Sequence, residues 1–343
     1  MSRVQTIRVS LPLKHKFVVS KGETERKTNL LTILDNRYSG EAASSVFYGP
    51  NVEELEADIL SGVEMLQQQK NFSIRTLHAI DKLTISPIAR SALMAMILNY
   101  LSGKRNLYPW EVLKLGAPVG IRSSMTVSID EPAEMAAAIR ESSYPIIKIK
   151  MGANSDRELL DLLEDIGDKE LRVDANGGWD CETAEEMIYR LSKLGVRVIE
   201  QPTDLEHIAD WPYLKGKNDE VELIVDEGLE TVKDFARVHD YCDGVNIKME
   251  KSGGIIEAVR IAKAARRSEK KVMLGCMVES SVGIAQSVYM SSLADYHDLD
   301  GPLLLESDIG MGINYDRETI HVDREIIGGP ALKRDVVQNY IQD

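Results

Sequence analysis

Three acidic residues recur at a fixed interval in the middle of the chain. Asp174 in LRVDANGGWD, Glu200 in RVIEQP and Asp226 in LIVDEG each follow an apolar run, and successive members stand 26 residues apart. A strand, a helix and two short loops fill about that length, so each carboxylate falls at the exit of a predicted strand. Brought together, three carboxylates repel and raise one another's pKa. A divalent cation removes the conflict, and hard oxygen donors in an octahedral site suit Mg²⁺ or Mn²⁺. Taken singly, each acid reads as a helix cap or a rim ion pair. The even spacing and the lysines around it favour a metal set.

The lysines are Lys148 and Lys150 in KIK, and Lys248 in VNIK. They interrupt otherwise apolar strands, and strand alternation puts 148 and 150 on one face. Two ammonium groups facing each other across a metal-bound substrate suit proton removal from one face and return to the other, with the cation holding the charge in between. A lysine base must be partly neutral, which crowding by a second ammonium promotes. The blander reading pairs each lysine with a neighbouring carboxylate. Further along, LGCMVES brings Glu279, and YHDLDG brings Asp298 and Asp300, after two more apolar runs.

The elements that must position these groups follow from the rhythm. From Arg122 onward, apolar strands alternate with amphipathic helices about eight times, which predicts an α/β fold with a parallel (β/α)-barrel whose strand ends converge on one face. The first third shows no such alternation. Residues 3–10, 17–20 and 29–34 read as strands, and 20–28 (SKGETERKT) as a charged turn. Residues 51–70 read as a helix capped by Asn51 and Glu54, 86–103 as a buried helix, and 109–115 as a short one. A boundary near Gly116–Gly120 divides an α+β capping domain, 1–117, from the barrel, 118–309. Residues 310–343 are expected to return to the cap.

The chain's 343 residues suffice for a barrel plus a smaller domain, and 43% hydrophobic with 28% charged residues is ordinary for a soluble protein. A formal net charge of −14 argues against nucleic acid or an anionic membrane as partner. Cys181, Cys242 and Cys276 show no CxxC spacing, the N-terminus lacks the apolar core of a signal peptide, and the run Ala92–Leu101 is too short to span a bilayer. Together these lead us to expect a cytoplasmic protein with a small-molecule substrate. Assembly into a homo-oligomer would be unsurprising.

In that order and spacing, KIKMG, VDANGGW, IEQP, VDE and VNIK resemble the enolase superfamily, in its muconate-lactonizing subgroup, over the whole chain. The resemblance implies a modified TIM barrel with a capping domain. It implies Asp174, Glu200 and Asp226 as metal ligands, Lys150 and Lys248 as the acid/base pair, and Lys148 as a helper of Lys150 or of the bound carboxylate. The late DLD (Asp298, Asp300) with GCMVESS (Met277, Glu279) is similar to the dipeptide epimerases. In that group the aspartates hold the ammonium of an L,L-dipeptide's N-terminal residue, and Thr126 matches a substrate-contacting position. A zwitterion gripped at both ends would place its reacting C–H between the lysines.

Some features depart from the pattern. Gly228 stands where a serine often follows the DE pair, and GGPALK replaces the usual proline-glycine ending. The 20–28 loop lacks the arginine that binds a glutamate side chain in alanyl-glutamate epimerases. Lys21 or Arg26 would have to substitute, or Glu23 and Glu25 would favour a cationic side chain. Specificity is expected in this loop, in residues 43–50 or so, and in the region of Asp298. The alternatives are another activity of the subgroup (o-succinylbenzoate synthase, N-acylamino acid racemase or cycloisomerase) and a non-catalytic barrel that binds a metal or ligand. IGMGIN at 309–314 lacks a dinucleotide βαβ context, and KSGG at 251–254 lacks the GK[ST] of a phosphate loop. His297 abuts the DLD, where a packing role is expected.

Overall fold

The computed structural model describes residues 4–342 except 20–21, 46–48, 153–154, 164–166 and 217. The chain opens with β1 (Val4–Val19), β2 (Gly22–Leu34) and β3 (Tyr38–Ala42), an antiparallel sheet in that order. The two strands expected at 3–10 and 17–20 are one long strand whose register slips between Pro12 and Phe17. The expected charged turn is largely strand, with Thr24 opposite Phe17 and Arg26 opposite Pro12. Here cross-strand pairing overrides local polarity. The third strand is an addition to the sequence-based expectation, although Asp35 and Asn36, both at positive φ, are the central residues of the turn that the Arg37 amide closes onto the Leu34 carbonyl.

Three helices follow the sheet. α1 (Val52–Gln67) starts at a complete Asn51–Glu54 capping box. α2 (Ile74–Ile80) is a short helix that the sequence pattern does not announce. α3 (Pro87–Arg105) starts at Ser86 and is buried along most of its length, because one side meets the sheet and the other meets the barrel. Helices α1 and α3 pack on the sheet, and α2 packs on α3. At Gly40 a Cβ would sit 2.0 Å from the Ala92 carbonyl oxygen, so only glycine lets the third strand lie this close to α3.

After β4 (Ile121–Arg122) come eight parallel strands in sequence order: β5 (Met125–Val127), β6 (Ile146–Lys150), β7 (Glu170–Asp174), β8 (Val198–Glu200), β9 (Glu222–Val225), β10 (Gly244–Ile247), β11 (Lys271–Gly275) and β12 (Tyr296–Asp298). A parallel bridge between Ser123 and His297 joins the last strand back to the first and closes the ring. This is a (β/α)-barrel with an α+β cap. Strand alternation sorts the side chains: Ile147, Ile149, Val173, Ile199, Val225 and Ile247 join the shell of helices, and their neighbours point inward. Val198, Ile224, Met273 and Tyr296 form a small separate apolar cluster.

Beyond β12 the chain runs through β13 (Gly310–Met311), β14 (Ile313–Asp316), β15 (Thr319–Val322) and β16 (Ala331–Leu332). Leu305 bridges to Leu13 and Ile341 to Val9, so the C-terminal segment lies against the first strand of the cap. Among the described residues, no helix is long and apolar enough to cross a membrane.

Candidate active site

The three spaced carboxylates stand at successive strand ends: Asp174 closes β7, Glu200 closes β8 and Asp226 follows β9. All three are buried. Local chemistry explains the turns. Asn176 takes a left-handed conformation and donates its amide to Asp174 Oδ1 at 2.9 Å. Gly178 packs on Gly152, where a Cβ would lie 2.6 Å from the facing Cα. The Gln201 side chain accepts from the Asp226 and Glu227 amides at 2.9 and 3.0 Å, which ties one strand end to the next.

Lys148 and Lys150 project from the same face of β6, as alternation requires. The Lys148 ammonium lies 2.6 Å from Asp298 Oδ2, 2.8 Å from Glu200 Oε2 and 3.0 Å from Asp174 Oδ2. Burial alone would lower its pKa, but Asp174, Asp298 and Glu200 outweigh that and hold it well above the usual lysine value. These three carboxylates thus favour the charged form of Lys148. Lys150 donates to Asp174 Oδ2 at 2.6 Å and to Asn176 at 3.3 Å. From the far side of the ring, Lys248 donates to Asp226 Oδ2 at 2.8 Å. Burial pushes Asp174 and Asp226 upward, yet the lysines prevail and keep both well below the carboxylate range. Glu200 goes the other way, up to about 7, through burial and the repulsion of Asp174.

The DLD pair sits at the closing seam of the barrel. Ser124 Oγ donates to Asp298 Oδ1 at 2.6 Å, and the Thr126 amide donates to Asp300 Oδ2 at 2.7 Å. Between the aspartates, the Leu299 amide donates to Ser123 Oγ at 2.8 Å and its carbonyl accepts from the Tyr315 hydroxyl. Lys148 holds Asp298 low against its burial, while burial and Asp298 push Asp300 up to about 6. Glu279 folds back so that its Oε1 accepts from the Met277 amide at 3.2 Å. Burial, followed by a neighbouring Glu250 carboxyl, drives Glu279 well above the usual range.

This architecture has close counterparts. Residues 131–319 match the profile of the family described as Enolase C-terminal domain-like. The L-Ala-D/L-Glu epimerase of Bacteroides thetaiotaomicron is 30% identical over 88% of this chain and 81% of its own. The chain belongs to the enolase superfamily. It is an isomerase. The substrate-liganded L-Ala-D/L-Glu epimerase of Bacillus subtilis superposes with a TM-score of 0.88 at 25% identity, covering 96% of this chain and 98% of that one. A dipeptide epimerase from Cytophaga hutchinsonii, solved with Mg and the dipeptide D-Ala-L-Val, shares the fold at TM-score 0.87 and 23% identity, covering 100% and 98%.

As expected of an enolase-superfamily barrel, the lysines, strand-end acids and DLD meet at one mouth. The donor set there fits a divalent cation in kind: three buried carboxylates from adjacent strands, with the mutual repulsion visible in Glu200. Their oxygens are occupied by lysines, and among the described residues no three His, Cys or acidic side chains form a ready metal cage.

Several mouth residues lie outside the set that the sequence motifs single out. Asn246 donates to Glu200 Oε1 at 2.8 Å and lies two residues before Lys248, where alternation marks the same face. Ser124 stands in the same relation to Thr126. Lys251, in the KSGG segment, donates to both the carboxylate and the carbonyl of Asp226. Of the loop residues with a possible part in specificity, Arg26 is turned onto Ser10 at 3.0 Å and Glu23 onto Lys16 at 2.5 Å. Lys21 and residues 46–48 lie outside the described residues.

Proposed function

We propose that this protein epimerises dipeptides, inverting the Cα of the C-terminal residue by a 1,1-proton transfer. The observation that carries the reading is the pairing of two buried ammonium groups on opposite strands, Lys150 on Asp174 and Lys248 on Asp226, beside an acidic DLD pair. Lysines placed on two sides of one site can serve the two faces of a planar carbon. One amine removes the Cα proton, and the other ammonium returns a proton to the opposite face. The roles reverse for the opposite configuration.

Asp174, Glu200 and Asp226 would hold Mg²⁺, the metal bound in the Cytophaga hutchinsonii enzyme, with Mn²⁺ as a chemical alternative. When bound, the cation would supply Lewis-acid stabilisation to the substrate carboxylate as negative charge develops on it. The chain's own residues do the rest. Lys148, an ammonium among three carboxylates, balances their charge and directs positive potential toward a carboxylate ligand. Asp300, pushed up but able to ionise, receives the substrate's α-ammonium. Asp298 is already shared by Lys148 and Ser124 and so contributes less free charge. Thr126, Met277 and Glu279 line the substrate's path.

The test is mass spectrometry of an L,L-dipeptide library incubated with the protein and Mg²⁺ in D₂O. Deuterium uptake at one Cα in a subset of dipeptides, lost with EDTA, is the expected result. Uptake confined to N-acylamino acids would replace the dipeptide reading with a racemase acting on acylated substrates.

A further inference from the structure

The segment that carries Met277 and Glu279 is held by the cap as well as by the barrel. Glu41, on β3, is 2% exposed, and its carboxylate is ringed by donors. It accepts from the Ser280 amide at 3.2 Å, the Ser280 hydroxyl, the Gly283 amide at 3.1 Å and the Asn29 side-chain amide at 2.7 Å. Asn29, fully buried on β2, also donates to the Val278 carbonyl at 3.1 Å, and its own oxygen accepts from the Ser44 amide at 3.2 Å. Two cap side chains thus grip the backbone on both sides of Glu279. The fit is tight from beneath as well, since a Cβ on Gly283 would fall 2.2 Å from Glu279 Oε2.

Apolar contacts would join cap and barrel with less penalty than a buried carboxylate. A buried acceptor on which several donors converge instead imposes direction, because each donor must point at it. Three of the donors belong to the loop that leaves β11. We propose that Glu41 and Asn29 are positioning residues for this loop: they set the placement of Glu279 and so couple substrate affinity to the seating of the cap. This rests on the proposal that Met277 and Glu279 contact substrate.

The test is Glu41→Gln, which keeps shape but turns an NH₂ group toward a ring of donors. KM for a responding dipeptide should rise about 10-fold with kcat within about 3-fold, as expected for losing a buried hydrogen-bond acceptor that acts on binding. Amide exchange at Ser280 and Gly283 should accelerate. Ser280→Ala, which removes one hydroxyl, should shift KM in the same direction by less. Asn29→Ala supplies the same test if Glu41→Gln fails to fold. A variant with a lowered melting temperature but unchanged KM and kcat would reduce the pair to a stitch between domains and overturn the proposal. A loss confined to kcat would overturn it too. If the wild-type protein exchanges no dipeptide, the substrate reading fails by itself, and unchanged amide exchange at Ser280 and Gly283 in Glu41→Gln would still sink the clamp.

Discussion

At the floor of the barrel, Arg172 is buried with each hydrogen-bonding edge matched. It reaches Glu170 at 2.8 and 2.9 Å, donates to the His297 carbonyl at 2.9 Å, and lies over the Tyr296 ring at 5.1 Å. The Tyr296 hydroxyl in turn donates to Glu222 at 2.7 Å. At the mouth, by contrast, three carboxylates are each shared between two side-chain donors. Asp174 serves Lys148 and Lys150, Asp226 serves Lys248 and Lys251, and Asp298 serves Lys148 and Ser124. Both ends bury charge, but Glu170 keeps a side-chain exposure of 44%, whereas Asp174 and Asp226 have none. The floor discharges its electrostatics to solvent and to fixed partners. The mouth retains an unrelieved balance, and that is what lets a cation or a zwitterion rearrange it. In such barrels chemistry gathers at the C-terminal strand ends and stability at the opposite face.

The largest separation between the two ends should come from the lysines. Lys150→Ala and Lys248→Ala should each lower Cα exchange by about 10²–10⁴-fold, the range for loss of a positioned acid or base, when deuterium uptake is followed by mass spectrometry. Arg172→Met should leave exchange nearly intact. Comparable losses at floor and mouth would mean that exchange reports global folding. Next in size is the cation. Asp226→Asn should abolish the calorimetric signal for Mg²⁺ binding and, with it, exchange. Undiminished Mg²⁺ binding in that variant would remove Asp226 from the ligand set.

The mouth's own division of labour gives a smaller effect. Asp300→Asn should raise KM for dipeptides with a free ammonium by roughly 10- to 100-fold, the value of a charged hydrogen bond. N-acetylated analogues should be indifferent to it. Equal effects on both substrate types would show that Asp300 supports the seam rather than the ammonium. At the floor, Arg172→Met leaves the His297 carbonyl without its buried donor and should destabilise the protein by about 1–3 kcal/mol, visible as a lower denaturation midpoint.

The same contrast explains what is legible in the sequence. Strand-end acids announce themselves locally, because an apolar run followed by Asp or Glu is contained within a few residues. Asp174, Glu200 and Asp226 can thus be placed from their immediate neighbours alone. The barrel follows from the same rhythm. The seam is not readable in this way: Ser124 and Lys148 reach Asp298 across more than a hundred residues, and only ring closure brings them together. Glu41 is invisible for the same reason, since its donors come from a loop far down the chain. Lys251 is masked by its setting in KSGG, which invites comparison with a phosphate loop, whereas its lysine serves the neighbouring strand's aspartate.

The smallest expected effect distinguishes the two ends by pH. His297 lies in β12 between floor and mouth, with its Nε2 buried and unpartnered among the described residues. Burial, aided by the Arg172 charge, depresses its pKa from 6.5 to about 4. Above pH 6.5 the ring is neutral in both folded and unfolded chains, so its contribution to stability is fully present. As pH falls toward 4 the unfolded chain takes up a proton that the folded ring refuses, and stability is lost. Glu41 and Asp300, raised to about 7 and about 6, act in the opposite sense, since the folded state binds their protons first. The His297 contribution must therefore be read as a difference. Denaturation midpoints of wild type and His297→Gln should diverge least at about pH 4 and most above pH 6.5, with the variant's deficit shrinking as the unfolded wild-type chain takes up its proton. A deficit independent of pH would mean that the ring is protonated alike in both states. His297 would then be a packing residue with no part in the electrostatic boundary between floor and mouth.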